Sequence, residues 1–182
     1  GGGNITWQAG APINYSGSSG KLTLDASGYI KLNSNITTGL GGLSLQAGAG
    51  YVESAPGVTL ALGGPLDVAT GDSTIGTPGF SAPVLAATLT GTGALIKTGN
   101  GRLILSGSSN TWSGNTDVQK GTLRVIGADA LGTASPTKIQ SGATLEVAGG
   151  ISLAENIELW GGTLTNWSGD NAVTSPLLLK SS

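Results

Sequence analysis

Short alternating apolar runs recur along this chain every 20 to 23 residues or so, and this recurrence limits the folds that it can adopt. Runs such as Val58-x-Leu60-x-Leu62 have a period of two, which indicates strands with one buried face. Each long period holds about three such runs. The leucines that mark the recurrence are Leu22, Leu43 and Leu66 in the first half and Leu103, Leu123, Leu145 and Leu164 in the second.

Three strands in each period are typical of the coil of a parallel β-helix. Each coil would lie about 4.8 Å above the last, so eight coils would form a rod of roughly 40 Å. A β-sandwich is the alternative, but it predicts hairpin turns, and Asn100-Gly101 is the only Asn-Gly dipeptide. We therefore predict an all-β, parallel β-helix, with the right-handed winding that parallel crossovers prefer.

The repeats also predict which residues stack on one another. Gly28-Tyr29-Ile30 recurs as Gly50-Tyr51-Val52, and Ile36 recurs as Val58, each 22 residues later. Such pairs should occupy equivalent positions in successive coils.

The recurrence divides a single β-helical segment, residues 1–182, into three parts. Regular coils are predicted over residues 1–70 and 93–182. Residues 71–92, which contain Pro78, Phe80 and Pro83, are predicted to form an irregular excursion or a join between two repeat types.

The composition excludes several kinds of site. The chain has no Cys and no His, so it lacks a thiolate nucleophile, an imidazole base and the usual zinc ligands. Its net charge of −2 gives no basic footprint for nucleic acid. No apolar run approaches the length of a membrane span. We therefore expect no cofactor, no metal, no nucleic-acid partner and no membrane crossing by this chain itself.

The second half carries a specific resemblance. Residues 93–125 read GALIKTGNGRLILSGSSNTWSGNTDVQKGTLRV and resemble the passenger-associated repeat of bacterial autotransporters. Trp112 stands where that repeat has Tyr, and one extra residue lies between Gly107 and Asn110. The matching positions are Gly93, Leu95, Lys97, Gly99, Gly101, Leu103, Leu105, Ser106, Gly107, Asn110, Thr111, Ser113, Gly114, Thr116, Val118, Gly121, Thr122, Leu123 and Val125.

Residues 1–70 are similar instead to repeats of filamentous-haemagglutinin-type exoproteins, which use two-partner secretion. Together the resemblances imply an internal passenger segment of a secreted or surface-displayed bacterial exoprotein. Export across the outer membrane would require a β-barrel translocator as partner, and the exported segment would be monomeric. The implied role is that of an adhesin scaffold, with a cell-surface glycan or protein as receptor. The alternatives are a β-helix carbohydrate-active enzyme and a passive stalk for a toxin domain elsewhere in the parent chain.

Charged residues give no catalytic constellation. Glu155 and Glu158 are close in sequence, but the adjacent coil offers only Glu146, with no nearby Arg expected. Asp67 and Asp72 are expected to lack a basic partner. We therefore interpret the carboxylates as solvated turn residues, and the dispersed Lys and Arg residues as solubilising. No catalytic residue is assigned.

Three tryptophans are the candidate binding residues. Trp112, Trp160 and Trp167 lie in the second half of the chain. If they are exposed on a rod, they are platforms for sugar rings or for a docking partner. The alternative is that they fill the corners of coils.

Overall fold

A computed structural model describes residues 3–71, 84–107, 109–133 and 136–181. Regular structure within these ranges consists of 21 strands. None of the described residues belongs to a helix that is long and apolar enough to cross a membrane.

The chain passes repeatedly over three faces in the same order, and the three faces are called A, B and C. Face A contains β1 (Ile5–Trp7), β4 (Ile30–Leu32), β7 (Val52–Ser54), β12 (Arg102–Leu105), β14 (Gly121–Val125), β16 (Ala143–Ala148) and β19 (Thr163–Ser168). Face B contains β2 (Ile13–Asn14), β5 (Ile36–Thr37), β8 (Thr59–Leu62), β10 (Thr88–Gly91), β17 (Ser152–Leu153) and β20 (Ala172–Val173). Face C contains β3 (Leu22–Ala26), β6 (Leu43–Ala47), β9 (Leu66–Thr70), β11 (Leu95–Thr98), β13 (Thr116–Val118), β15 (Thr137–Gln140), β18 (Ile157–Trp160) and β21 (Leu177–Leu179).

Neighbouring strands on each face are parallel. The eight strands of face C form one continuous sheet in chain order, so the described residues complete eight coils. A sandwich built from hairpins would have antiparallel neighbours instead. The predicted parallel β-helix is confirmed.

The core is a set of stacked apolar ladders. On face C, Leu22 pairs with Leu43 and Leu43 with Leu66. On face A, Leu103, Leu123 and Leu145 stack in the same way, and Leu164 continues the ladder. Both ladders follow the predicted recurrence, and their interior members are fully buried. Burying one such side chain stabilises the fold by about 1.5–3 kcal/mol.

One predicted pairing is wrong. Ile30 pairs with Val52, as expected, but Ile36 pairs with Leu60 and not with Val58. The reason is a turn at residues 55–58, in which the Val58 amide donates to the Ala55 carbonyl and Gly57 has a φ of 82°. This turn adds two residues between faces A and B, so the register on face B moves by two.

Close stacking of corners explains one glycine in particular. Gly42 has a φ of 76°, which favours glycine, and it lies where the chain turns into β6. A Cβ atom on Gly42 would lie 2.0 Å from the carbonyl oxygen of Pro65 in the next coil. The corner therefore requires glycine both for its backbone conformation and for the space between coils.

The predicted excursion at 71–92 is only partly described, because residues 72–83, with Pro78, Phe80 and Pro83, lie outside the described ranges. Beyond them, Leu85 bridges Ser54 on one side and Leu105 on the other. The strand at 88–91 pairs with β8. Face C passes from β9 directly to β11, so the coils on both sides of this region share one core.

Candidate binding surface

The three candidate tryptophans occupy three different environments. Trp112 is fully buried and belongs to the core, so it has no surface on which a sugar could stack. Trp160 lies on the outward side of face C, and Trp167 lies on face A. Only seven residues separate Trp160 from Trp167, but the chain turns a corner between them at Gly161 and Gly162. The three side chains therefore do not form one site.

Trp160 is half-buried beside charged neighbours. Its indole Nε1 donates to Glu158 Oε2 at 3.1 Å. The other oxygen of Glu158 lies 3.5 Å from Lys180 Nζ in the next coil. The ring is thus held at the edge of an ion pair on face C.

Trp167 lies at a local irregularity in the sheet. Asn166 pairs with Val147 and Ser168 pairs with Ala148, so Trp167 is the extra residue of a bulge between β16 and β19. A bulge redirects a side chain from its regular position. Trp167 is 52% exposed, and its indole lies over Arg124 of β14 and Arg102 of β12 on face A.

Two arginines lie beneath the Trp167 ring. The guanidinium carbon of Arg124 is 3.9 Å from the ring centroid, and that of Arg102 is 5.4 Å away. Such cation–π contacts contribute on the order of 0.5–2 kcal/mol. They fix the ring against the sheet while leaving about half of it open to solvent.

Glu146 connects both arginines. Its Oε2 accepts from Arg124 Nε at 2.7 Å and from Arg102 Nε at 3.1 Å. The expectation that Glu146 has no Arg nearby is therefore wrong, and so is its assignment as a solvated turn residue, because it is 7% exposed. These contacts join residues 22 and 44 positions apart, which only the stacking register brings together.

Arg124 also carries a polar atom without a partner. Its side chain is 8% exposed, and its Nη2 atom is buried and makes no hydrogen bond within the structure. Arg124, Ile104, Ile126, Ala148, Trp167 and Ser168 are among the residues that line a groove of about 610 Å³. The groove therefore combines mostly apolar walls with a guanidinium group whose Nη2 atom has no hydrogen-bond partner.

Other charged residues are more often paired than the sequence indicated. Asp67 Oδ2 lies 2.6 Å from Lys21 Nζ, so the expectation that Asp67 lacks a basic partner is wrong. Lys31 and Glu53 form a similar exposed pair at 3.0 Å. Such surface pairs contribute about 0–1 kcal/mol each. Asp72 lies outside the described residues.

Glu155 differs from its neighbour Glu158. Its side chain is buried at the corner between β17 and β18, and its Oε2 atom has no hydrogen-bond partner in the structure. Burial raises the pKa of Glu155 to about 7. Its interpretation as a solvated turn carboxylate is therefore wrong as well, whereas Glu158 contacts Trp160 and Lys180 at the surface.

One comparison with known proteins matches a segment in the second half of the chain. Residues 95–125 match the family described as Passenger-associated-transport-repeat. We call residues 95–125 the passenger repeat because of this match. It begins with β11 and ends with β14, so it spans one full coil and the next two strands, β13 and β14.

A curated relative extends the similarity beyond the repeat. The chain is 38% identical over 117 residues, 55% of its length, to the "Adhesin BmaC autotransporter" of Brucella suis biovar 1 (strain 1330). The chain spans about 3% of the length of that relative. No solved structure gives a significant match. These findings support an autotransporter passenger segment, as the sequence predicted.

The passenger repeat places a lysine in the core. Lys97 has no exposed surface, and its Nζ donates to the carbonyl oxygens of Thr98, of Gly99 at 3.0 Å and of Lys120 at 3.3 Å. Burial lowers its pKa to about 8. The interpretation of Lys97 as a solubilising surface residue is therefore wrong. The sequence does contain a signal for this burial: Lys97 lies two residues after Leu95 in an alternating strand, so both side chains point inward.

Asn110 is a second buried polar residue of the passenger repeat. Its Oδ1 accepts from the Leu89 amide at 2.8 Å, and its Nδ2 lies 3.3 Å from the Ala130 carbonyl oxygen. Asn110 thus connects the coil below to the coil above where face B has no regular strand. Lys97 and Asn110 therefore both bind backbone groups inside the fold and are buried from solvent.

Proposed function

We propose that this chain is an internal scaffold of an exported bacterial adhesin and that the scaffold itself contributes to attachment through its outward faces. A continuous β-solenoid that contains a passenger repeat supports the scaffold role. The adhesin named above, similar over more than half of the chain, supports the adhesive role and is the observation that carries it.

The same proposal places the chain outside the cell. It would cross the outer membrane through a β-barrel translocator and remain secreted or displayed at the surface as a monomeric segment. A solenoid suits this route because its coils fold one by one on their neighbours as the chain emerges. The absence of Cys fits as well, since no disulfide can form in the periplasm and fold the chain too early.

Residues 1–70 would be haemagglutinin-type coils that join the passenger-repeat coils through residues 71–92. The parallel pairing of β9 with β11 supports a join of this kind, because it continues one core across the region.

Attachment of coated beads tests the adhesive role. Beads that carry the purified 182-residue chain should bind cultured epithelial cells several-fold better than beads that carry the double variant Leu123→Asp, Leu145→Asp. That variant places two carboxylates in the core ladder and should unfold the coils while keeping the length of the chain. Equal attachment of the two would contradict adhesion by this segment and leave a passive stalk.

A further inference from the structure

The groove beside Trp167 is lined by Arg124, whose Nη2 atom is left without a hydrogen bond by the fold. Arg124 Nη2 is buried without a hydrogen bond, although Arg124 Nε is bound to Glu146. An unsatisfied buried donor of a charged group is costly, and nearly all such groups in folded proteins have a partner. A partner for Nη2 has to accept hydrogen bonds, and the groove gives a ligand access to the Arg124 side chain.

Glu146 cannot fully supply that partner. Its carboxylate is shared between the guanidinium groups of Arg102 and Arg124, with Oε2 accepting from the Nε atoms of both. A second carboxylate at the free edge of Arg124 would complete the forked recognition that guanidinium groups favour.

The walls of the groove restrict what carries that carboxylate. Ile104, Ile126 and Ala148 are apolar, and the half-exposed indole of Trp167 closes one side. Ser168 adds a polar group at the rim. The volume of about 610 Å³ is within the range of small-molecule sites and is larger than a bare ion requires. A sugar ring has a C–H face for the aromatic and apolar walls and hydroxyl groups for the rim.

We propose that the face A groove binds an acidic sugar, with the sugar carboxylate on the free edge of the Arg124 guanidinium and the sugar ring against Trp167. This inference rests on the proposed adhesive function, because it names the chemical class of ligand that the scaffold recognises. It assigns no such role to Trp160, which lies on face C.

An NMR titration of the 182-residue chain tests the proposal with matched ligands. D-glucuronate and D-glucose differ at one carbon, which is a carboxylate in the first and a hydroxymethyl group in the second. At constant ionic strength, glucuronate should shift the Trp167 indole signal and the amide signals of Ile126 and Ala148 in a saturable way. Glucose and acetate should bind at least about tenfold more weakly, because each lacks one half of the recognised group.

Variants locate the binding. Arg124→Lys keeps the positive charge but removes the planar guanidinium group that can bind a carboxylate through two hydrogen bonds. Trp167→Ala removes the exposed ring. Each should weaken glucuronate binding about tenfold or more. Trp160→Ala changes a tryptophan of the neighbouring coil on face C and should leave the affinity unchanged. Because Trp167 is exposed, Trp167→Ala should fold, so it still tests the site even if Arg124→Lys does not fold.

Several results would overturn the inference. They are the absence of saturable shifts with glucuronate, equal binding of glucose or acetate, tighter binding of the acidic peptide Gly-Asp-Gly, or equal losses in the Trp160 and Trp167 variants. Bead attachment without glucuronate binding would overturn this inference and leave the proposed function intact. Glucuronate binding by a chain that mediates no attachment would support this site and overturn the proposed function.

Discussion

Lys97 is buried, although its residue type predicts a surface location. Lysine is rarely buried, so composition favours a surface role. The alternation of β11 nevertheless gives Lys97 the same inward phase as Leu95. The structure resolves this conflict by giving the ammonium group three carbonyl acceptors at a corner of the coil. The alternation of inward and outward positions in β11 therefore predicts the burial of Lys97 from the sequence.

The pH dependence of stability should report the burial of Lys97. Its pKa falls from 10.5 to about 8 on folding, so between these values the unfolded chain binds more protons than the folded one. The contribution of Lys97 to the free energy of unfolding should therefore rise between pH 8 and pH 10, by about 2 kcal/mol. Urea unfolding of the wild type and of Lys97→Met at several pH values measures this difference.

Lys138→Met is the matched control, because Lys138 lies on the outward side of face C, where it pairs with Asp117 and Glu158 in the ladder. Lys138→Met should show the same rise in the free energy of unfolding between pH 8 and pH 10 as the wild type, whereas Lys97→Met should lack that rise. If Lys97→Met and the wild type show the same pH dependence, Lys97 is not the titrating group.

At the scale of the strand, the sequence predicted the ladders well and the connections between them less well. Ladders such as Leu103, Leu123 and Leu145 follow from the recurrence alone. Corners differ in length from coil to coil, and a two-residue change at residues 55–58 was enough to misplace the partner of Ile36.

The candidate site depends on such details. The contacts of Glu146 require the exact register of three strands, and Trp167 lies at a one-residue bulge in β19. Neither leaves a recognisable motif in the sequence. Trp167 could therefore be predicted from the sequence as a candidate binding residue, but its position beside Arg124 could not.

Cysteine pairs test the register on face B, because the chain has no Cys of its own. Thr37 pairs with Ala61, and strand partners about 4.8 Å apart fall within the Cα separation of disulfides. Residues 37 and 59, which the 22-residue recurrence would pair, should be about 8 Å apart. Oxidation should cross-link Thr37→Cys with Ala61→Cys.

The alternative pair, Thr37→Cys with Thr59→Cys, should remain reduced under the same conditions. Thiol counting after oxidation distinguishes the two double variants. Faster cross-linking of residues 37 and 59 would contradict the register described for β5 and β8.

At the scale of the whole molecule, the solenoid has no single centre, because each coil contacts mainly its neighbours. Stability should therefore vary along the axis. Strands such as β11 are covered by coils on both sides, whereas Leu177, Leu178 and Leu179 of β21 are 47%, 42% and 80% exposed. The last coil of this chain should open well before the middle ones.

Native-state hydrogen exchange measures this gradient. Amides of β9, β11 and β13 should exchange about a thousandfold more slowly than those of β20 and β21, because opening of the central coils approaches global unfolding. Uniform protection along the axis would contradict a solenoid stabilised by nearest-neighbour contacts.

Bead attachment of three proteins tests whether the passenger scaffold adheres through the face A groove. Wild-type chain and Trp160→Ala should coat beads that bind epithelial cells equally well, whereas Trp167→Ala should lose most of the attachment while its unfolding midpoint in urea stays close to that of Trp160→Ala. Equal attachment by the two tryptophan variants, or no attachment by the wild type above uncoated beads, would show that the face A groove does not mediate adhesion.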